Sequence, residues 1–405
     1  MSRQPALEMT GRLEPQEGVV VHRHVIAASG LVLALAGAFS VKAAGQPVPP
    51  AQTLPAAFSG AVEPAAVLKA MTAAADWQLA HPSEHAKWDW TQAAYYTGMM
   101  ALADVSPDPK YLGAMRAMGE ANLWRPGLRP GHADDYAVIA TYARLYEKDR
   151  DRRQIDPSLA LFNFLLTRRW DEPLAWGGGI ETREWAWCDA LFMGPPPLAA
   201  VSRVMGDRRY LDLANRLFWK TTDYLYDRDE FLYYRDSRFF YQREPNGRKV
   251  FWSRGNGWVL AGIARVLQDM PDDYGDRARW VMIFKQMAGK VASLQGEDGY
   301  WRASLLDPGS RPNPETSGTG FFVFSLAWGI NRGLLDRATF EPAVRRGWSA
   351  LVRALHADGM LGWVQRIGDQ PGATSAETTE VYGVGAFLLA GSEVHKLGQK
   401  PAAAK

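Results

Sequence analysis

Asp189 sits in a run of residues that withdraws it from water. Trp185, Trp187 and Cys188 lie just before it, and Leu191, Phe192 and Met193 lie just after. Burial penalises the charged form of a carboxyl, so such an acid keeps its proton towards neutral pH, as a general acid must. The same position also suits an N-cap for a helix beginning at Ala190, and the string alone leaves both roles open. Asp134 and Asp135, between His132 and Tyr136, offer further carboxyls. Either can cap a helix or supply a first-turn charge as well as serve as a catalytic partner. Residues 252–258, WSRGNGW, form the most specific string. Arg254 presents a planar fork suited to a carboxylate. Trp252 and Trp258 can wall a pyranose ring, and Gly255 and Gly257 allow close backbone approach or positive φ. The competing reading is a packed loop in which Arg254 is ion-paired internally. Trp88 and Trp90, with Asp89 between them, add aromatics at the head of a helix.

Other chemistries lack their residues. No G-x-S-x-G string occurs, and no Lys-Ser/Thr follows Gly177-Gly178-Gly179. His81 and His85 have helical spacing but no third ligand nearby, so neither a metal nor another cofactor is expected. The single Cys188 excludes internal disulfides. Beside Asp189 it reads as a small apolar neighbour that helps keep the acid protonated, not as a nucleophile.

The elements that must position these residues are helices. Apolar residues recur at three- and four-residue spacing in windows 61–80, 91–104, 111–123, 136–149, 157–169 and 189–205. The pattern continues in 209–226, 256–269, 277–295, 318–334, 339–356 and 378–396. Strand signals concentrate at 229–252, where EFLYY (230–234) and KVFW (249–252) flank the turn Pro245-Asn246-Gly247. A weak echo relates Tyr111-Leu112 to Tyr210-Leu211, each pair opening a helix after a polar break. Six helical hairpins closed into a ring would form an (α/α)6 barrel, an all-α toroid with a short β-hairpin insertion. The pattern supports repetition more firmly than closure.

Outside that domain, assigned to residues 61–396, the chain changes character. Residues 25–41 are an uncharged apolar run, preceded by His22, Arg23 and His24 and followed by Ala43-Ala44-Gly45. That order predicts a signal peptide over 1–44, with a retained anchor as the alternative, and hence a periplasmic or secreted protein. Residues 45–60 read as a Pro-rich linker and 397–405 as a disordered tail. With 46 Lys+Arg against 44 Asp+Glu, the net charge of +2 gives no pull towards nucleic acid. No membrane partner is expected unless the N-terminal segment is retained. The chain has 16 Trp, more than a core of this size needs, so some are expected to line a groove for a flat-faced ligand.

Three strings together resemble the unsaturated uronyl hydrolases of glycoside hydrolase family 105. They are DALFM (189–193) with the prolines that follow, WSRGNGW (252–258), and DGYW (298–301) leading into Leu305-Leu306-Asp307 and Glu315-Thr316-Ser317. The resemblance runs from about residue 85 to 390. The related family 88 shares the fold and chemistry but matches these strings less well. The resemblance implies an (α/α)6 barrel acting on an oligosaccharide with a Δ4,5-unsaturated uronic acid at its non-reducing end. In that chemistry an Asp protonates C4, water adds at C5, and the hemiketal opens to release the next sugar. By position Asp189 is the acid/base and Asp134 the second carboxyl, with Asp135 as fallback. Trp187, Trp252, Arg254 and Asn256 are implied to form the sugar wall, with Trp258 and Trp90 beside them. One departure is Arg235, followed by Asp236, where some members carry a His. An Arg cannot titrate but binds carboxylate well, which bears on the exact uronate. Two alternatives share the fold: a hydrolase of saturated glycosides using Asp134 and Asp189 as its pair, and a non-catalytic carbohydrate-binding toroid.

Overall fold

The computed structural model describes residues 57–399. The expectations for residues 1–44, and for most of the linker and the tail, lie outside this range. Among the described residues no helix is long and apolar enough to cross a membrane.

The chain runs through α1 (Pro64–Ala80), α2 (Trp90–Ala103), α3 (Lys110–Ala121), α4 (Ile139–Asp149) and α5 (Asp156–Thr167). It continues through the short α6 (Ala190–Met193), α7 (Pro195–Met205), α8 (Arg208–Leu225), β1 (Tyr226–Asp227) and β2 (Leu232–Tyr233). Helices α9 (Ser253–Asp269), α10 (Arg277–Ser293), α11 (Thr316–Asn331), α12 (Arg337–Arg353) and α13 (Val381–Gly398) complete it. Helices alternate between an outer and an inner layer. The inner ring is α2, α4, α7, α9, α11 and α13; each packs on the next, and α13 packs back on α2. That last contact closes the toroid, which periodicity alone leaves open.

Burial follows the layers. Along α11 every residue from Thr316 to Ile330 is buried, as an inner helix requires. The outer helix α8 buries one stripe, including Tyr210, Leu213, Leu217 and Leu225, and leaves its other face polar.

Two local departures matter for the site. The single window 189–205 is two helices, because Gly194 is followed by three prolines that donate no backbone hydrogen bond and start α7 afresh. Gly194 has no alternative: a Cβ there would lie 2.4 Å from the Trp185 ring. The strand pairing also differs. Residues 232–233 pair with 226–227, not with 249–252. The other edge of Tyr233 is occupied by a side chain, since Asn256 accepts from its N–H (2.7 Å) and donates to its C=O (3.0 Å). Lys249 bridges Arg243 across the Asn246-Gly247 turn, and Trp252 bridges Ser304.

Candidate active site

The inner helices all point their N-termini at one mouth of the ring, and a cleft of about 310 Å³ opens there. Its lining includes Trp90 from the start of α2 and Asp134 from the turn leading into α4. Asp189 and Met193 come from α6, and Trp252 and Arg254 from the start of α9. Trp187 and Arg235 join from the segments flanking these, and Ile367, Gly368 and Asp369 close it from the long connection between α12 and α13. A ring of helix N-termini carries partial positive charge, so the architecture favours an anionic ligand before any side chain is counted.

Both carboxyls are held above their ordinary range, and Asp189 contributes to the rise at Asp134. Asp134 is pushed up to about 8, first by burial and then by the nearby charge of Asp189. Asp189 is also held above the ordinary carboxylate range by burial. Arg235, the Cys188 thiol and Arg254 oppose that rise. The Arg235 Nε lies 3.6 Å from the Asp189 Oδ2, and the Cys188 Sγ donates to the same oxygen at 3.4 Å. Cys188 therefore favours the ionised acid, which corrects its reading as a bland apolar shield. Its own thiol is buried and pushed well up, so it is no nucleophile. Asp134 and Asp189 thus form a coupled pair in which Asp134 retains a proton through neutral pH.

His132 supports this corner. Its Nδ1 accepts from the Asp134 backbone N–H (3.3 Å), and its ring packs 5.0 Å from Trp187. Burial and the nearby Arg129 hold it down to about 4, so its imidazole is neutral at pH 7. The sequence placed His132 in the right string without giving it a role.

Arg235 is gripped rather than free. Its guanidinium stacks on Trp176 at 4.4 Å and donates to Asp236 at 2.7 Å, while its carbonyl accepts from the Cys188 N–H. Asp236 also holds Arg238, which reaches the cleft residue Asp369 at 2.8 Å. Arg254 is fully buried and makes no ion pair among the described residues. It donates to the carbonyls of Gln365 (2.6 Å) and Arg366 (3.0 Å) and stacks on Trp252 at 4.4 Å. Trp252 itself donates to the Gln365 side chain at 3.0 Å. Arg254 therefore pins the 365–369 segment over the cleft.

Three residues assigned to the substrate by sequence lie elsewhere. The Asp135 carboxylate is 1% exposed and faces away from the cleft, clamped by the backbone and side chain of Arg129 at 2.5–3.0 Å. Asn256 is buried, its amide spent on Tyr233 and Trp252. Trp258 is packed among Phe192, Phe321, Trp90 and Tyr382 beneath the cleft floor. Gly255 and Gly257 lie within α9 rather than in a loop, and neither has positive φ. Gly255 is needed for close approach, since a Cβ would meet Cys188 at 3.0 Å and the Trp252 ring at 2.9 Å. Because Asp135 is a loop clamp, Asp135→Ala is expected to cost about 1–3 kcal/mol in urea unfolding, as loss of charge-assisted hydrogen bonds to a backbone N–H and a half-exposed arginine does. Where still folded, the variant should retain turnover, since Asp135 does not line the cleft.

A family model described as Glycosyl Hydrolase Family 88 matches residues 66–398. A relative from Formosa agariphila, named unsaturated 3S-rhamnoglycuronyl hydrolase, is 42% identical over 340 residues, covering 81% of this chain and 90% of its own. A solved structure described as a polysaccharide lyase superposes with TM-score 0.75 at 33% identity, covering 82% of this chain and 98% of its own. Another, from Salmonella enterica and described as a possible member of GH105, has TM-score 0.69 at 18% identity. It covers 82% of this chain and 94% of its own, and the likeness shows that the family 105 resemblance extends to the fold.

Proposed function

Because the chain belongs to glycosyl hydrolase family 88, we propose that it is a hydrolase removing an unsaturated uronic acid from the non-reducing end of an oligosaccharide. The observation that carries this reading is the cleft itself: a proton-holding carboxyl pair set between a ring of helix N-termini and two fixed arginines. An acid with an adjacent cationic clamp is what protonation of an enol ether bearing a carboxylate needs.

The steps follow from these groups. The uronate carboxylate binds towards Arg235 and Arg254. Its charge offsets the cation that holds Asp189 down, so Asp189 takes up a proton as substrate arrives. Asp189 gives that proton to C4, and positive charge develops at C5 and the ring oxygen. Water adds at C5 and returns a proton to Asp189. The resulting hemiketal opens to a ketone at C5, and C1 releases the neighbouring sugar. Asp134, protonated through neutral pH, adds no second negative charge and can donate a hydrogen bond to the sugar. Turnover in D2O tests this route. The released uronic acid should carry deuterium at C4, and its absence there would contradict the route.

The finer substrate is a uronic acid linked to 3-sulfated rhamnose. Support comes from the name of the Formosa agariphila relative. Rates on the 3-sulfated and desulfated disaccharides test it, and equal rates count against it. A second reading is favoured by the similarity to a polysaccharide lyase. A lyase creates the C4=C5 bond that this hydrolase consumes, so the two readings predict opposite changes in its ultraviolet absorbance. Export rests on residues 25–41, and N-terminal sequencing of the protein recovered from the producing cell tests whether cleavage follows Ala43.

A further inference from the structure

The opposite mouth of the ring holds a second cavity, about 80 Å³, with no part in the chemistry above. Side chains from α2, α4, α9, α11 and α13 enclose it. It is separated from the cleft by packed aromatics: Trp90 contacts Trp258, Trp258 contacts Phe192, and the Arg265 guanidinium rests on the far face of Phe192 at 4.7 Å. The volume admits a group the size of several water molecules.

The charges lining it are matched, with one exception. Asp104 pairs with Lys148 at 2.9 Å, Glu393 with Lys396 at 2.6 Å, and Arg144 with Asp269 at 2.8 Å. Asp269, one turn beyond Arg265, is already shared between Arg144 and Arg203. Arg265 has no ion pair and donates no hydrogen bond among the described residues. The Thr141 hydroxyl, also lining the cavity, is buried without a partner. Burial and the nearby Arg144 push Arg265 down to about 9, only partly opposed by Asp269. Arg265 is only partly buried, so its unpaired guanidinium can be reached through the cavity, and a tetrahedral oxyanion matches its fork.

We propose that this cavity binds a small inorganic oxyanion of the phosphate or sulfate type, held by the Arg265 guanidinium and the Thr141 hydroxyl. Thermal unfolding of the full chain tests this with inorganic phosphate as the probe, starting from buffer free of small oxyanions. The wild-type midpoint should rise by about 4 °C at phosphate near 100 Kd. Arg265→Met removes the unpaired cation while filling much of its volume. Its midpoint without phosphate should equal or exceed that of the wild type, and phosphate should leave it unmoved. An equal rise in both proteins would place the effect elsewhere and overturn the proposal, as would no rise in the wild type. If the variant does not fold, crystals of the unaltered protein soaked in selenate decide the matter. An anomalous peak beside Arg265 supports the site, and a cavity without one contradicts it.

Discussion

Asp189→Asn is expected to lower kcat on an unsaturated uronyl disaccharide by about 1000-fold, the range that loss of a positioned proton donor produces. Asn cannot deliver a proton to C4, yet it fills the same space between Cys188 and Arg235. Binding should survive, because the cationic side of the cleft is untouched and Arg235 loses a competing carboxylate. The expected pattern is therefore a collapse of kcat with KM unchanged or lowered, which marks an interaction made in the transition state rather than in the ground state. A fall in kcat of less than about 10-fold would remove Asp189 from the role of acid. A rise in KM with kcat preserved would make it a binding residue.

Asp134→Asn should cost activity and raise stability together. Asp134 is largely buried near Asp189, and its carboxyl is pushed up from the usual range to about 8. Between those two values the folded chain holds a proton that the unfolded chain has released. Folding stability therefore falls as pH rises through that window. Asn has no charge to suppress, so at pH 7 the variant should gain on the order of 4 kcal/mol at most, and near pH 4 almost nothing. Activity should fall by about 100-fold or more. The wild type is expected to show an alkaline limb near pH 8, and the variant should lose or displace it, since Asp134 no longer titrates. Chemical unfolding at the two pH values checks the stability half, and the pH dependence of kcat/KM checks the other. A variant less stable than wild type at pH 7 would mean that the Asp134 proton is not held as described. The combination is that of a functional group kept at a cost to the fold.

The helices were legible because burial imposes a 3.6-residue period whatever their neighbours are. Closure of the ring was not, because the contact of α13 with α2 joins segments nearly the whole domain apart and leaves no local mark. Within the cleft, Asp189 stood out by the apolar company of its string, whereas Asp134 was reached only through the family resemblance, since its own string favoured a helix cap. Which neighbours face the ligand was harder. Residues 252–258 look like one constellation in sequence, but most of them form the first turns of a helix. Arg254 points to the cleft, while Asn256, about 200° further round, points to Tyr233. Trp258 returns to the side of Arg254 but about one turn deeper, about 6 Å along the axis, and so becomes floor rather than wall. Asp135 failed for the same reason, one position past Asp134 on a tight turn. Much of the Trp excess is likewise packing: Trp185, Trp258, Trp280, Trp301 and Trp348 are all fully buried.

The 365–369 segment gave no local signal of chemistry. Its function is set by Arg254 and Trp252, more than 100 residues earlier, which hold it over the cleft. The cue that could have found it was length. The windows 339–356 and 378–396 leave a connection too long to be a mere link in a compact helical domain. Asp236, the buried hub between Arg235 and Arg238, was noted only as the residue after Arg235, because two acidic bonds within a short polar string resemble ordinary surface charge.

The most direct measurement of the central claim follows the absorbance of the conjugated C4=C5 bond while the enzyme acts on a lyase-generated, 3-sulfated rhamnose-containing disaccharide. Absorbance should fall to baseline, with one free rhamnose end released for each double bond lost. The saturated analogue should stay intact. A rise in absorbance on the intact polymer, or cleavage of the saturated analogue at a comparable rate, would contradict the account.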